Sequence, residues 1–70
     1  MMIENAKKFG ALIKKYRKAQ GLTQVQLSAM ANVSPRFIGE LENGKPTIEL
    51  EKALYVAWML GMNISITDEE

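Results

Sequence analysis

Residues 22–45 read LTQVQLSAMANVSPRFIGELENGK, and this stretch restricts the fold more than any other part of the chain. Counted from Gln24 as position 1, positions 4, 8, 10, 15 and 18 are Leu27, Ala31, Val33, Ile38 and Leu41. That is the spacing that folds one short helix across another at a steep angle, the helix-turn-helix. The second helix of such a pair stands out from the body of the domain, where it can lie in a DNA major groove. The stretch points to DNA binding before anything else is read.

Capping signals sharpen the boundaries. Thr23 is placed as an N-cap with Gln26 three residues on, a capping box in its Thr-x-x-Gln form, and the helix it opens ends near Ala31. Asn32 falls in the turn, and Asn tolerates positive φ better than most residues. Ser34 caps the next helix, with Pro35 at the first helical position, where its missing N–H costs nothing. That helix runs to Asn43, with Gly44 just past its end.

Two further helices flank this pair. The first is expected to start at Glu4 or Asn5 and end at Ala19, with Phe9, Leu12, Ile13 and Tyr16 as its apolar stripe and Gly21 after it. The last starts between Ile48 and Leu50 and ends near Leu60, with Gly61 as its stop. Its inward stripe is expected to be Leu50, Ala53, Leu54, Ala57 and Leu60, with Tyr55 and Trp58 off the centre of that stripe. After it, residues 62–67 alternate apolar and polar with period two and read as a strand, with Met62, Ile64 and Ile66 on one face. No other segment reads as a strand, and a lone strand leaves its N–H and C=O groups without partners. Pairing with the same strand of a second copy about a two-fold axis satisfies them.

The bulk properties are consistent with one small domain over residues 1–70, mainly α, whose limited core a second copy would supplement. There is no Cys and no His, so disulfides, thiol nucleophiles, the usual zinc ligands and an imidazole base are all excluded. No leader or membrane span is expected: residues 1–3 are not an apolar run, and the longest apolar stretch, residues 53–60, is too short to cross a bilayer. The cytoplasm is the expected location.

The net charge of +1 hides a division. Residues 1–45 hold eight Lys/Arg against three Glu, whereas residues 46–70 hold Lys52 against five acids. A basic first part and an acidic second part suit a module with one nucleic-acid face and another face for something else.

The segment also resembles a known family. Thr23–Gln24 opening a helix, then Leu27 and Ala31, then Ile38–Gly39–Glu40–Leu41–Glu42–Asn43–Gly44–Lys45, resemble the Cro/CI-type repressors, the XRE family of bacterial and phage helix-turn-helix proteins. Typical members have five helices, and this chain offers a strand after its fourth. Gly44–Lys45–Pro46–Thr47 and the Leu-Gly-x-x-Ile-x-Ile ending look like the smaller HipB-type antitoxins. The resemblance implies a four-helix, lambda-repressor-like domain whose C-terminal strands pair across a homodimer. It further implies binding to an operator of its own operon and to a HipA-type kinase toxin.

Site residues follow from both lines. Ser34, Pro35, Arg36, Phe37 and Glu40 lie on the outward face of the second helix of the pair and are placed at the bases. Arg36 can grip guanine O6 and N7 with two hydrogen bonds, and a phosphate contact is the alternative. For Phe37 the readings are a thymine-methyl contact or packing against the first helix. Gly39 costs the helix about 1 kcal/mol relative to Ala, which suggests close approach of DNA or of a neighbouring helix. Glu40 can accept from cytosine N4 or pair with Arg36 at i, i+4 and orient it; the second role is preferred. Gln24 begins a helix whose free N–H groups suit a phosphate. By resemblance, Gln24, Asn43 and Lys45 hold the DNA backbone, Gln24 also braces the recognition helix, and Arg17 and Glu42 form an ion pair tying the first helix to the recognition helix. Lys14, Lys15 and Lys18 are better read as solvated charge.

The expected function is a sequence-specific repressor, an antitoxin that also binds its toxin. The alternative is a protein-interaction module in which the last helix, with Tyr55, Trp58 and Met59, and the strand dock a partner and DNA is secondary. Enzymatic chemistry and a cofactor are not expected: no nucleophile–base pair, phosphate-binding glycine loop or carboxylate cluster is present.

Overall fold

The computed structural model describes residues 5–63. Four helices follow one another: α1 (Ala6–Ala19), α2 (Gln24–Ala31), α3 (Pro35–Glu42) and α4 (Leu50–Met59). Three of them start on side-chain caps. Asn5 Oδ1 accepts from the Lys8 N–H at 2.9 Å, Thr23 Oγ1 from Gln26 at 3.0 Å and Ser34 Oγ from Phe37 at 3.0 Å. At α2 the capping box is complete, because the Thr23 N–H also donates to Gln26 Oε1 at 2.8 Å.

All four helices end on a left-handed residue: Gly21, Asn32, Gly44 and Gly61. Around each, two N–H groups turn back to the last free carbonyls, as in Gly44 to Leu41 and Lys45 to Glu40, both at 3.1 Å. Asn32, with φ 56 and ψ 44, makes the sharp turn between α2 and α3. Asn43 is the cap of α3, one residue past its last helical position, Glu42.

The core comprises Phe9 and Ile13 of α1, Leu27 and Ala31 of α2, Ile38 and Leu41 of α3, and Ala53, Val56 and Ala57 of α4, with Leu60 and Met62 after it. Four of the five spaced positions, Leu27, Ala31, Ile38 and Leu41, are therefore buried, and Val33 is half-buried against the same cluster. Each fully buried Leu or Ile contributes about 1.5–3 kcal/mol. Helix α3 packs against both α1 and α2, and α2 also packs against α4. Helix α3 is thus held by its apolar face, and among the described residues its other face carries the exposed Arg36 and the partly exposed Gly39 and Glu40.

The inward stripe of α4 differs from expectation. Leu50 is 63 % exposed, and Leu54 is half-buried at the edge of the core. Ala53, Val56, Ala57 and Leu60, at i, i+3, i+4 and i+7, form the buried face. Ile48, in the loop before the helix, is partly buried against the core cluster.

No strand occurs among the described residues. Met62 is buried in the core of its own chain, and its N–H donates to Ala57 O at 3.0 Å, closing α4. Ile64 and Ile66, with the rest of the expected strand, lie outside the described residues.

Candidate nucleic-acid interface

Helix α3 presents the expected face. Ser34, Pro35 and Arg36 are exposed at its N-terminal end, Phe37 and Glu40 are partly exposed, and Asn43 and Lys45 are exposed beyond its C-terminal end. Ser34 Oγ is engaged as the cap acceptor, which leaves its hydroxyl proton available to donate. Phe37 packs in part against the core cluster, so the side chain serves the fold while one edge reaches the surface. At Gly39 no atom lies within 4 Å of where a Cβ would sit, so among the described residues no neighbouring helix approaches it closely.

Arg36 extends along this face with its side chain 87 % exposed, and its Nε lies 3.4 Å from Glu40 Oε2, the expected i, i+4 pair. Lys45 joins them: its Nζ lies 3.4 Å from Glu40 Oε1. This second pair has no signal in residue spacing along the helix. It follows from the left-handed turn at Gly44, which sends the chain back beside the last turn of α3.

Behind the face lies a polar brace. Arg17 Nε donates to Glu42 Oε2 at 2.6 Å and Arg17 Nη2 to Glu42 Oε1 at 3.1 Å, a two-pronged ion pair buried between α1 and α3. Arg17 Nη1 donates to Leu22 O at 2.7 Å, and Gln24 Nε2 donates to Glu42 Oε1 at 3.1 Å. One guanidinium and one carboxylate therefore join the end of α1, the loop after it, the start of α2 and the end of α3. The hydrogen bond to Glu42 raises the Arg17 pKa above its already high ordinary value; burial opposes this, and the carboxylate's charge adds a smaller push. Among the described residues no buried side-chain nitrogen or oxygen lacks a partner. The Arg17–Glu42 pair and a bracing role for Gln24 were expected from the resemblance, whereas the bond to Leu22 had no signal in the sequence.

Lys14, Lys15 and Lys18 are exposed along α1. No described helix is long and apolar enough to cross a membrane. Among the described residues no group of acids could hold a metal ion.

A short helix crossing a second, with the second held by its inner face and its polar face exposed, defines a helix-turn-helix protein. A helix-turn-helix family model matches residues 13–57, and the chain belongs to that family, as a transcriptional regulator of the XRE type. It is 47 % identical over 57 residues, 81 % of this chain and 75 % of the relative, to the uncharacterized HTH-type transcriptional regulator y4mF of Sinorhizobium fredii. Among solved structures, a chain of the HipA-HipB-O2-O3 complex matches with a TM-score of 0.85 at 18 % identity, covering 100 % of this chain and 99 % of that one. The restriction-modification controller protein C.AhdI of Aeromonas hydrophila matches with a TM-score of 0.72 at 28 % identity, covering 83 % and 84 %.

Proposed function

We propose that the chain is a sequence-specific repressor that binds a two-fold symmetric operator as a homodimer, with α3 in the major groove. The observation that carries this reading is the exposed Arg36 at the N-terminal end of a helix fixed from behind by the Arg17–Glu42–Gln24 brace. A guanidinium on a rigid helix can meet guanine O6 and N7 with both prongs, which a loosely held one cannot do selectively. Gln24, at the start of α2, and Asn43 and Lys45, after α3, flank that helix, where phosphate contacts would fix its register. Two copies related by a two-fold axis would read half-sites one helical turn apart, or a multiple of it.

Within this reading the chain is an autorepressing antitoxin that also holds a HipA-type toxin. The support is the shared fold with the chain of the HipA-HipB-O2-O3 complex together with the Gly44–Lys45–Pro46–Thr47 segment. Controller protein C.AhdI shares the fold as well, so the fold itself serves regulators outside toxin–antitoxin operons. The test is Arg36→Ala, read by fluorescence anisotropy on the DNA upstream of the chain's own gene. A loss of about tenfold or more, from one bidentate base contact, supports the reading. Unchanged binding refutes the role of Arg36 as reader.

A second reading has its own observation. On α4, Trp58 is 69 % and Tyr55 44 % exposed, with ring centroids 5.8 Å apart. Exposed paired aromatics are typical anchors of protein contacts. In this reading α4 is the face for a protein partner, and DNA binding is secondary.

A further inference from the structure

We infer that Glu40 is a specificity-determining residue: it occupies the two cations of the recognition face and so withholds them from phosphates that carry no sequence information. The inference rests on the DNA-binding reading above and concerns the same face.

A carboxylate on a surface that meets DNA repels the phosphate backbone, so its presence in the middle of α3 needs a reason. Stability is a weak one, because exposed ion pairs contribute little to it. The geometry supplies another. The two oxygens of Glu40 divide their partners: Oε2 lies 3.4 Å from Arg36 Nε, and Oε1 lies 3.4 Å from Lys45 Nζ. The other acid of α3, Glu42, is buried in the brace behind the helix. Glu40 therefore neutralises charge where the groove is met, and the helix core holds it there with its side chain 31 % exposed.

The way Arg36 is held matters as much as the charge. Glu40 meets Arg36 at Nε, and the guanidinium carries two further donor nitrogens, Nη1 and Nη2, at its end. That end can still engage guanine O6 and N7. Sequence-independent binding draws on the count of cations free to displace counterions from phosphates. With Arg36 and Lys45 shared with Glu40, that count is lower on any DNA, whereas the bidentate contact on the correct sequence survives. The residue lowers general affinity more than specific affinity.

The test compares the wild-type chain with Glu40→Gln, which keeps shape and removes charge, on operator DNA and on scrambled DNA at 50 and 200 mM salt. Each newly available cation adds one phosphate contact, and each such contact steepens the loss over that salt range by about three- to fourfold. Glu40→Gln is expected to bind scrambled DNA more tightly at low salt, with that extra salt sensitivity, and to show a lower operator-to-scrambled ratio. Glu51→Gln removes the same charge from exposed α4 and is expected to leave the ratio unchanged. The inference is overturned if Glu40→Gln leaves the salt dependence and the ratio as they were. It is equally overturned if the gain is the same on both DNAs, if binding to both falls, or if Glu51→Gln has the same effect. A wild-type chain that does not bind DNA in a salt-dependent way sinks the DNA-binding reading itself, whereas a selective wild type with an indifferent Glu40→Gln sinks this inference alone.

Discussion

Gly10 of α1 lies against the backbone of Leu41 in α3, so close that a Cβ on Gly10 would overlap the Leu41 carbonyl oxygen and stand 2.9 Å from that of Glu42. A glycine inside a helix normally costs about 0.5–1 kcal/mol relative to alanine. Here the absence of a side chain lets α1 reach the helix that carries Arg36. Gly10→Ala is expected to lower stability by about 1–3 kcal/mol despite its better helix propensity, because the obstruction is backbone and cannot rotate away. Urea denaturation measures this; an unchanged or raised midpoint would show that the two helices part at no cost.

Glu42→Ala is expected to destabilise the fold by about 3–5 kcal/mol, since of the three acceptor oxygens around the buried Arg17 guanidinium it leaves only the Leu22 carbonyl. DNA binding then weakens through loosening of the brace rather than loss of a contact. Reduced affinity with an unchanged melting temperature contradicts this assignment.

The pH dependence of the same pair has a definite sign. The folded-state pKa of Arg17 is raised, so its contribution is fully present below the unfolded value and is lost only as pH rises through the folded one. Both lie far on the alkaline side. Protonation of Arg17 therefore contributes no slope to thermal melts between neutral and mildly alkaline pH.

Gln24→Ala removes a donor that both touches Glu42 and sits at the exposed start of α2. Affinity is expected to fall on scrambled DNA, as for a backbone contact, and further on the operator, where the loosened brace also weakens selective reading by Arg36. Unchanged affinity for scrambled DNA would remove the backbone contact.

Trp58→Ala distinguishes the roles of α4. Exposed substitutions of this kind change monomer stability by about 0.5 kcal/mol or less. If the aromatic face joins two copies, analytical ultracentrifugation of the variant shows a shift toward monomer. Operator affinity falls with it, because half-site binding loses the advantage of linkage. An unchanged sedimentation profile removes this face from the dimer contact.

Local chemistry made much of the fold legible. The caps Thr23 and Ser34, the left-handed Asn32 and Gly44, and the apolar positions Leu27, Ala31, Ile38 and Leu41 all depend on neighbours a few residues away. Across longer separations legibility fell off. Gly10 against Leu41, and Arg17 with the Leu22 carbonyl, depend on how helices and loops pack, which spacing along one helix does not encode; the bracing role of Gln24 was legible only through the resemblance. The mid-helix glycine was the available signal for the first. The exchange of Leu50 for Val56 on the inner face of α4 has the same origin, because the face a helix turns inward is set by what it packs against. In the site, the Arg36–Glu40 pair could be read from i, i+4 spacing, whereas Lys45 reached Glu40 only through the turn at Gly44.

The most direct test of the account is binding of the chain to the DNA upstream of its own gene against scrambled DNA of equal length, at two salt concentrations. The account predicts tight, selective binding to the first that weakens as salt rises, with a smaller, steeply salt-dependent affinity for the second. Equal and weak binding to both would contradict it and leave the exposed aromatics of α4 as the better guide to what the protein does.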